Sequence, residues 1–248
     1  MRIKINLLSQ PFISIPIDYN YNIYITLRRI LFDYLSAAKP KLFNRYKKTS
    51  PDFTFSQLMI PERKVELGFI EITGSYMSFY VSSGDDTFIE YLAKAVNHVG
   101  EFPVHNKIFK LKKIEVIEPP EFLPEMKFRM LSPLLLVRLK GDKVVFVRPE
   151  DSDLDDIFSS RLAARYSALF KGNYTGKDIK IQLDRGYVER KKSLTRLLTI
   201  RNINYKTIFA PFTLRGAVDL IEFAYHNGIG EKTQFGLGMI EALEEDKI

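Results

Sequence analysis

The chain has 248 residues, 46% of them hydrophobic and 13% aromatic, which is enough apolar side chain for a packed core and excludes a disordered chain. Its 37 Lys and Arg against 30 Asp and Glu leave a net charge of +7, a balance that favours an anionic partner such as nucleic acid. The absence of cysteine excludes disulfides, a thiolate nucleophile and Cys-ligated zinc or iron–sulfur sites, and leaves His98, His105 and His226 as the only imidazoles.

Residues 2–8 alternate polar and apolar, as a strand does, and do not read as a signal peptide. Ile23, Leu27, Ile30, Leu31 and Tyr34 then recur at helical spacing and predict a helix with one buried stripe, from which Arg28 and Arg29 are turned away. Beyond Pro40, strands are expected at 53–60, 67–73 and 76–82, the last two joined through Gly74-Ser75 as a hairpin. A helix at 86–99 opens on Asp85 or Asp86 as its N-cap, and a lysine-rich strand follows at 108–117. Two consecutive prolines in Glu118-Pro119-Pro120-Glu121 favour extended backbone and mark a hinge between domains 1–120 and 121–248.

The second half repeats this order. Strands at 128–140 and 143–148 form a hairpin about Gly141-Asp142, and a long helix spans 151–170. Asp151, Asp153, Asp155 and Asp156 oppose the positive end of its dipole, which explains the acidic run without a metal. Strands at 178–184 and 203–211, a helix near 214–225 and a last strand at 237–243 complete the chain. The order strand, helix, strands, helix, strand, given twice, predicts an α+β protein of two tandem ferredoxin-like (RRM-like) domains. No apolar run approaches the roughly 20 residues of a membrane helix, so the expectation is a cytoplasmic protein without a membrane partner.

Two features carry the functional reading. Eight basic residues, Arg185, Arg190, Lys191, Lys192, Arg196, Arg201, Lys206 and Arg215, face one acid, Glu189, in a single segment punctuated by Leu194, Leu197, Leu198 and Ile200. Such a run suits an RNA backbone, whose affinity for it would fall steeply with salt. Near the C-terminus Gly228-Ile229-Gly230 and Gly236-Leu237-Gly238 bracket five residues, a glycine-rich loop through which a phosphate or a second backbone could approach closely.

The loop, set between a short helix and the final strand of a second ferredoxin-like domain, resembles that of the CRISPR-associated repeat-RNA endoribonucleases of the Cas6 type, in the repeat-associated mysterious protein (RAMP) superfamily. The resemblance rests on Gly228, Gly230, Gly236 and Gly238 with Glu231 and Lys232. It extends to Tyr19-Asn20, Pro40-Lys41-Leu42, Phe53-Thr54-Phe55-Ser56, Ser132-Pro133 and Arg165-Tyr166, and so runs along nearly the whole chain. It implies maturation of CRISPR RNA by cleavage that needs neither metal nor other cofactor, with the 2′-hydroxyl attacking the adjacent phosphate to leave a 2′,3′-cyclic phosphate and a 5′-hydroxyl. Repeat RNA is the implied partner. The basic run supplies Lys191, Lys192, Arg196 and Arg201 as candidate RNA contacts, and the loop adds Lys232 with Gly228, Gly230, Gly236 and Gly238.

Many relatives place a general-base histidine between the first helix and the next strand, helped by a tyrosine on that helix and a nearby lysine. Here residues 43–50, Phe-Asn-Arg-Tyr-Lys-Lys-Thr-Ser, hold no histidine, and the tyrosine position falls at Phe32. Lys47, Lys48, Arg28 and Arg29 around the phosphate, with Tyr46 exchanging a proton, form the substitute set. An ordinary lysine, with a pKa of about 10.4, is a poor base at neutral pH, so turnover is expected to be slow. His226, His98 and His105 are read as structural or exposed. A noncatalytic repeat-RNA-binding relative and a structural subunit of a CRISPR effector complex stay open as alternatives, as does pairing of two copies of the chain.

Overall fold

The computed structural model describes residues 1–170, 172–191 and 193–243. The chain divides between Pro119 and Pro120 into two units.

In the first unit β1 (Arg2–Leu8) is the central strand, with Ile3, Ile5 and Leu7 wholly buried on one face. After β2 (Ile13–Pro16), α1 (Asn20–Ala38) lays Ile23, Leu27, Ile30, Leu31 and Leu35 into the core, the stripe that its spacing predicts. It ends at Lys39, whose φ of −146° is the extended backbone imposed on the residue before a proline. Pro40 in turn starts α2 (Pro40–Lys48), where its missing N–H costs nothing. Residues 43–48, for which the sequence pattern predicts no element, are therefore helical. Only Tyr46 of α2 is buried, so no apolar stripe announced it.

The strand expected at 53–60 shrinks to β3 (Thr54–Phe55) and an isolated bridge at Met59. β4 (Arg63–Glu66) and β5 (Phe69–Ile72) form the hairpin of this region, and β6 (Tyr76–Ser82) belongs to a different sheet. Gly74-Ser75 is accordingly a crossing between sheets and not a hairpin turn. Asp85 caps α3 (Asp86–Val99) by accepting the Phe88 N–H at 3.1 Å, and Gly100 closes it with φ 71°. β7 (Glu101–Val104), which sequence reading missed, precedes β8 (Lys107–Ile117). The main sheet has the order β3-β6-β1-β8-β7, whose first four strands are those of the ferredoxin-like fold. A small sheet, β2-β5-β4, stands beside it as an insertion.

The second unit builds the same sheet from β9 (Glu125–Met130), β12 (Ile179–Leu183), β15 (Phe212–Gly216) and β16 (Ile240–Ala242), in the order β12-β15-β9-β16. The predicted hairpin about Gly141-Asp142 joins β10 (Val137–Lys140) to β11 (Lys143–Phe146). α4 (Leu154–Phe170) starts three residues later than its aspartates suggest, because Asp151 and Asp153 pair with Arg138, at 3.0 and 2.5 Å. α5 (Arg185–Arg190) and the ribbon β13 (Thr195–Ile200) and β14 (Ile203–Ile208) interrupt the fold between β12 and β15. α6 (Val218–Asn227) packs Leu220, Ile221, Phe223 and Ala224 inward. Leu214, expected at the start of that helix, lies in β15. Among the described residues no helix is long and apolar enough to cross a membrane.

Candidate nucleic-acid interface

All four glycines of the loop are buried. A Cβ on Gly238, at φ 68°, would lie 1.8 Å from the Ile229 carbonyl oxygen, and one on Gly230, at φ 76°, would lie 2.4 Å from both the Leu135 oxygen and Leu134 Cδ1. The two clips are mated to each other by Ile229 N–H donating to Gly238 O at 2.8 Å, and to residues 132–135 by Gly238 N–H to Pro133 O and Glu231 N–H to Leu135 O, both 2.8 Å. Ser132 Oγ accepts the Met239 N–H at 2.8 Å. The space that Gly230 and Gly238 open is thus filled from within the protein, by the Leu135 and Ile229 backbone and the Leu134 side chain.

The loop's carbonyls converge on Arg165 of α4. Its guanidinium donates to Asn227 O at 3.0 Å, Gly228 O at 2.9 Å and Gly230 O at 3.2 Å, so one planar cation serves the end of α6 and the first clip together. Nothing around residue 165 in the sequence signals this role; only the resemblance singled it out. Between the clips Lys232 is exposed in the left-handed region, φ 56°, its ammonium 5.5 Å from the Tyr205 ring and 5.9 Å from that of Phe235. The sign and exposure suit an RNA phosphate.

Tyr205 belongs to the β13–β14 ribbon, which carries most of the basic segment. Arg201 and Asn202, at φ 51° and 62°, make the two-residue turn, a conformation whose twist matches the flanking strands. Arg196 stacks its guanidinium 3.7 Å over Phe209, and burial pushes its pKa down. Lys206 is exposed and stands opposite Leu197, which is 63% exposed. Lys191 is exposed beside Tyr187, and Lys192 lies outside the described residues. Arg215 leaves the set: it is bound to Glu125 at 2.8 Å and to Gln182 at 3.1 Å.

In the first unit the substitute catalytic set divides. Arg28 donates to the Tyr24 hydroxyl at 2.6 Å and lies 4.9 Å over Phe32; Phe32 meets Phe43 edge-on at 5.6 Å; and Lys47 stands 5.9 Å from the Phe43 ring. Two cations therefore flank a pair of phenylalanines. Arg29, about 100° further round α1, lines a cavity of about 610 Å³ with Asp33, Tyr34 and His98. Lys48 is exposed at the end of α2.

Tyr46 is withdrawn from proton exchange: it is 2% exposed and its hydroxyl donates to Asp85 at 2.9 Å. Desolvation, then the Asp85 carboxylate, hold its pKa well above the ordinary tyrosine value. Of the histidines, His98 meets Tyr34 at 5.6 Å, His226 lies against Phe122 and Tyr225, and His105 sits in a turn with φ 55°. Among the described residues no three His, Asp or Glu side chains form a group disposed to hold a metal ion.

Two family models match in tandem: "CRISPR-associated protein Cas6, N-terminal" over residues 16–115 and "CRISPR associated protein Cas6, C-terminal" over residues 117–242. A CRISPR-associated endoribonuclease-like protein Cas6 of Pyrococcus furiosus is 28% identical over 252 residues, covering 99% of this chain and 100% of its own length. The CRISPR-associated endoribonuclease Cas6 1 of Methanocaldococcus jannaschii is 27% identical, covering 99% and 94%. Among solved structures, the product of a Cas6-related gene from Pyrococcus furiosus superposes with a TM-score of 0.83 at 26% identity, covering 99% of both chains. A RAMP protein described as binding different RNA substrates gives 0.81 at 26%, covering 98% of this chain and all of the other.

Proposed function

The chain belongs to the Cas6 family of CRISPR-associated proteins, and from that membership we propose that it binds CRISPR repeat RNA and cuts it as an endoribonuclease in CRISPR RNA maturation. The observation that carries the RNA reading is the β13–β14 ribbon, where Lys206 stands opposite exposed Leu197 on one face, Arg196 projects from the other and Arg201 is exposed in the turn. Exposed cations pair with phosphates, and the exposed Leu197 side chain gives a base a surface to lie on.

The cutting step we assign to the cluster of Arg28, Phe32, Phe43 and Lys47. The 2′-oxygen attacks the neighbouring phosphorus and releases its proton to water. The P–O5′ bond breaks, and the departing 5′-oxygen takes a proton from the Lys47 ammonium, which water later restores. Arg28 offsets charge that builds on the phosphorane oxygens. Nothing in this sequence of steps requires a metal ion.

A second reading, binding without cleavage, is favoured by one observation: Phe32 stands at the position of the relatives' tyrosine and residues 43–50 hold no histidine. One experiment divides the readings. In EDTA, a repeat transcript is expected to yield a discrete product ending in a 2′,3′-cyclic phosphate, and Lys47→Ala to slow its single-turnover formation by about 10²-fold while affinity changes little. Tight, salt-sensitive binding with no product would establish the second reading, and absence of binding would remove both.

A further inference from the structure

The small sheet of the first unit ends on an edge that is open among the described residues. β4 is exposed at all four positions, and the order β2-β5-β4 puts nothing beyond it. Such an edge presents N–H and C=O groups ready to pair with another strand. Along it Val65 is 61% exposed and Leu67, in the turn that follows, is 100% exposed.

The ladder settles which groups point outward. Thr73 N–H donates to Glu62 O at 3.0 Å, and in an antiparallel pair the bonded residues alternate, so residues 62, 64 and 66 bond toward β5. The N–H and C=O of Arg63 and Val65 therefore face away from it. Side chains alternate as well. Lys64 shares a face with Glu71, its ion-pair partner at 3.7 Å, whereas Val65 stands in register with Ile70 and Ile15, which are 8% and 0% exposed. An apolar row that is buried within the sheet thus runs out to the edge and stops there half covered.

We propose that this edge pairs with the same edge of a second copy of the chain, antiparallel about a two-fold axis at Val65. Only outward-pointing residues can sit opposite one another in bonded pairs, so the axis near the middle of β4 falls at Lys64 or at Val65. The first register sets Lys64 against Lys64, a direct repulsion. The second sets Val65 against Val65 and places each Lys64 opposite Glu66 of the second copy, so that Lys64 lies between two carboxylates. It also joins the two apolar rows into one, from Ile15 through Ile70 and Val65 to their equivalents, and brings the stem of Arg63 beside exposed Leu67. The self-complementary charge is what selects a second copy as occupant. This inference is independent of the RNA reading.

A four-residue strand covers less than the roughly 1,600 Å² of a standard interface, so the pairing is concentration-dependent. Sedimentation of the full chain from about 5 to about 500 μM should show the weight-average mass climbing from 28.8 kDa toward twofold. Val65→Pro removes one outward N–H that serves no bond in the ladder to β5, and should stay monomeric with unchanged circular dichroism. Lys64→Glu and Glu66→Lys should each be monomeric alone and pair when mixed, because each then offers the other the missing opposite charge. A wild-type chain that remains monomeric throughout, dimers unaffected by Val65→Pro, or a mixture that fails to pair would overturn the proposal. So would retention of a different protein at this edge with no self-pairing.

Discussion

Gly238→Ala is expected to destabilise the second unit by more than about 4 kcal/mol. The alanine must hold φ near 68° and place its Cβ where the Ile229 carbonyl oxygen lies, 1.8 Å away. Positive φ alone costs about 1–2 kcal/mol. The overlap is with backbone, which cannot swing aside as a side chain would, and the Ile229–Gly238 hydrogen bond must break as well, adding about 1–3 kcal/mol. Against a total stability of roughly 5–15 kcal/mol, a loss above about 4 is a large fraction. Gly141→Ala is the internal control: φ there is 61°, but a Cβ meets nothing within 4 Å. It should lower stability by only about 1 kcal/mol. Denaturant titration of both variants measures the difference, and limited proteolysis should show cleavage beyond Pro120 for Gly238→Ala alone. Equal effects at the two positions would mean that the close approach of the clips does not hold the loop.

Arg165→Met is expected to cost about 3 kcal/mol while leaving the basic ribbon in place. The methionine keeps much of the stem's packing but strips the carbonyls of Asn227, Gly228 and Gly230 of a shared donor. Buried acceptors left unmade cost about 1–3 kcal/mol each, and partial access of water to a half-buried site reduces the sum. Arg165→Lys should recover little, since a single ammonium cannot span three carbonyls that a planar fork reaches at once. A lower midpoint at unchanged denaturant slope is the expected signature. An Arg165→Lys variant as stable as the native chain would show that charge alone suffices.

The repeated ferredoxin-like order was legible because its carriers are strongly patterned. The buried stripe of α1, the Asp85 cap of α3 and the Gly141-Asp142 turn each correspond to a local rule that the structure obeys. What escaped were elements defined by partners distant in the chain. The β4–β5 hairpin was hidden because Gly74 reads as a turn, whereas its place is set by Glu62, whose Cβ would stand 2.9 Å from a Cβ on Gly74. α2 was hidden because one buried residue in nine makes no stripe. The candidate surfaces follow the same division. The basic segment was visible as charge, and the structure adds that Arg215 is spent on Glu125. The cluster of Arg28 with Phe32 and Phe43 with Lys47 is two pairs at a spacing of four, which becomes readable only once both segments are helices. Arg165 as the loop's clamp had no local signal at all.

The self-mated glycine loop has a consequence for how activity can be lost. The residues that hold it together, Ser132, Arg165 and the buried glycines, belong to the second unit, whereas Lys47, Arg28 and the histidine-free stretch after Lys41 belong to the first. If the proposed assignment of Lys47 and Arg28 holds, changes that remove them leave the architectural signature untouched, and changes to the signature fail as misfolding before they can register as altered chemistry. The glycines that identify a chain of this kind thus report on its architecture, and the test of cutting falls on side chains in the other unit.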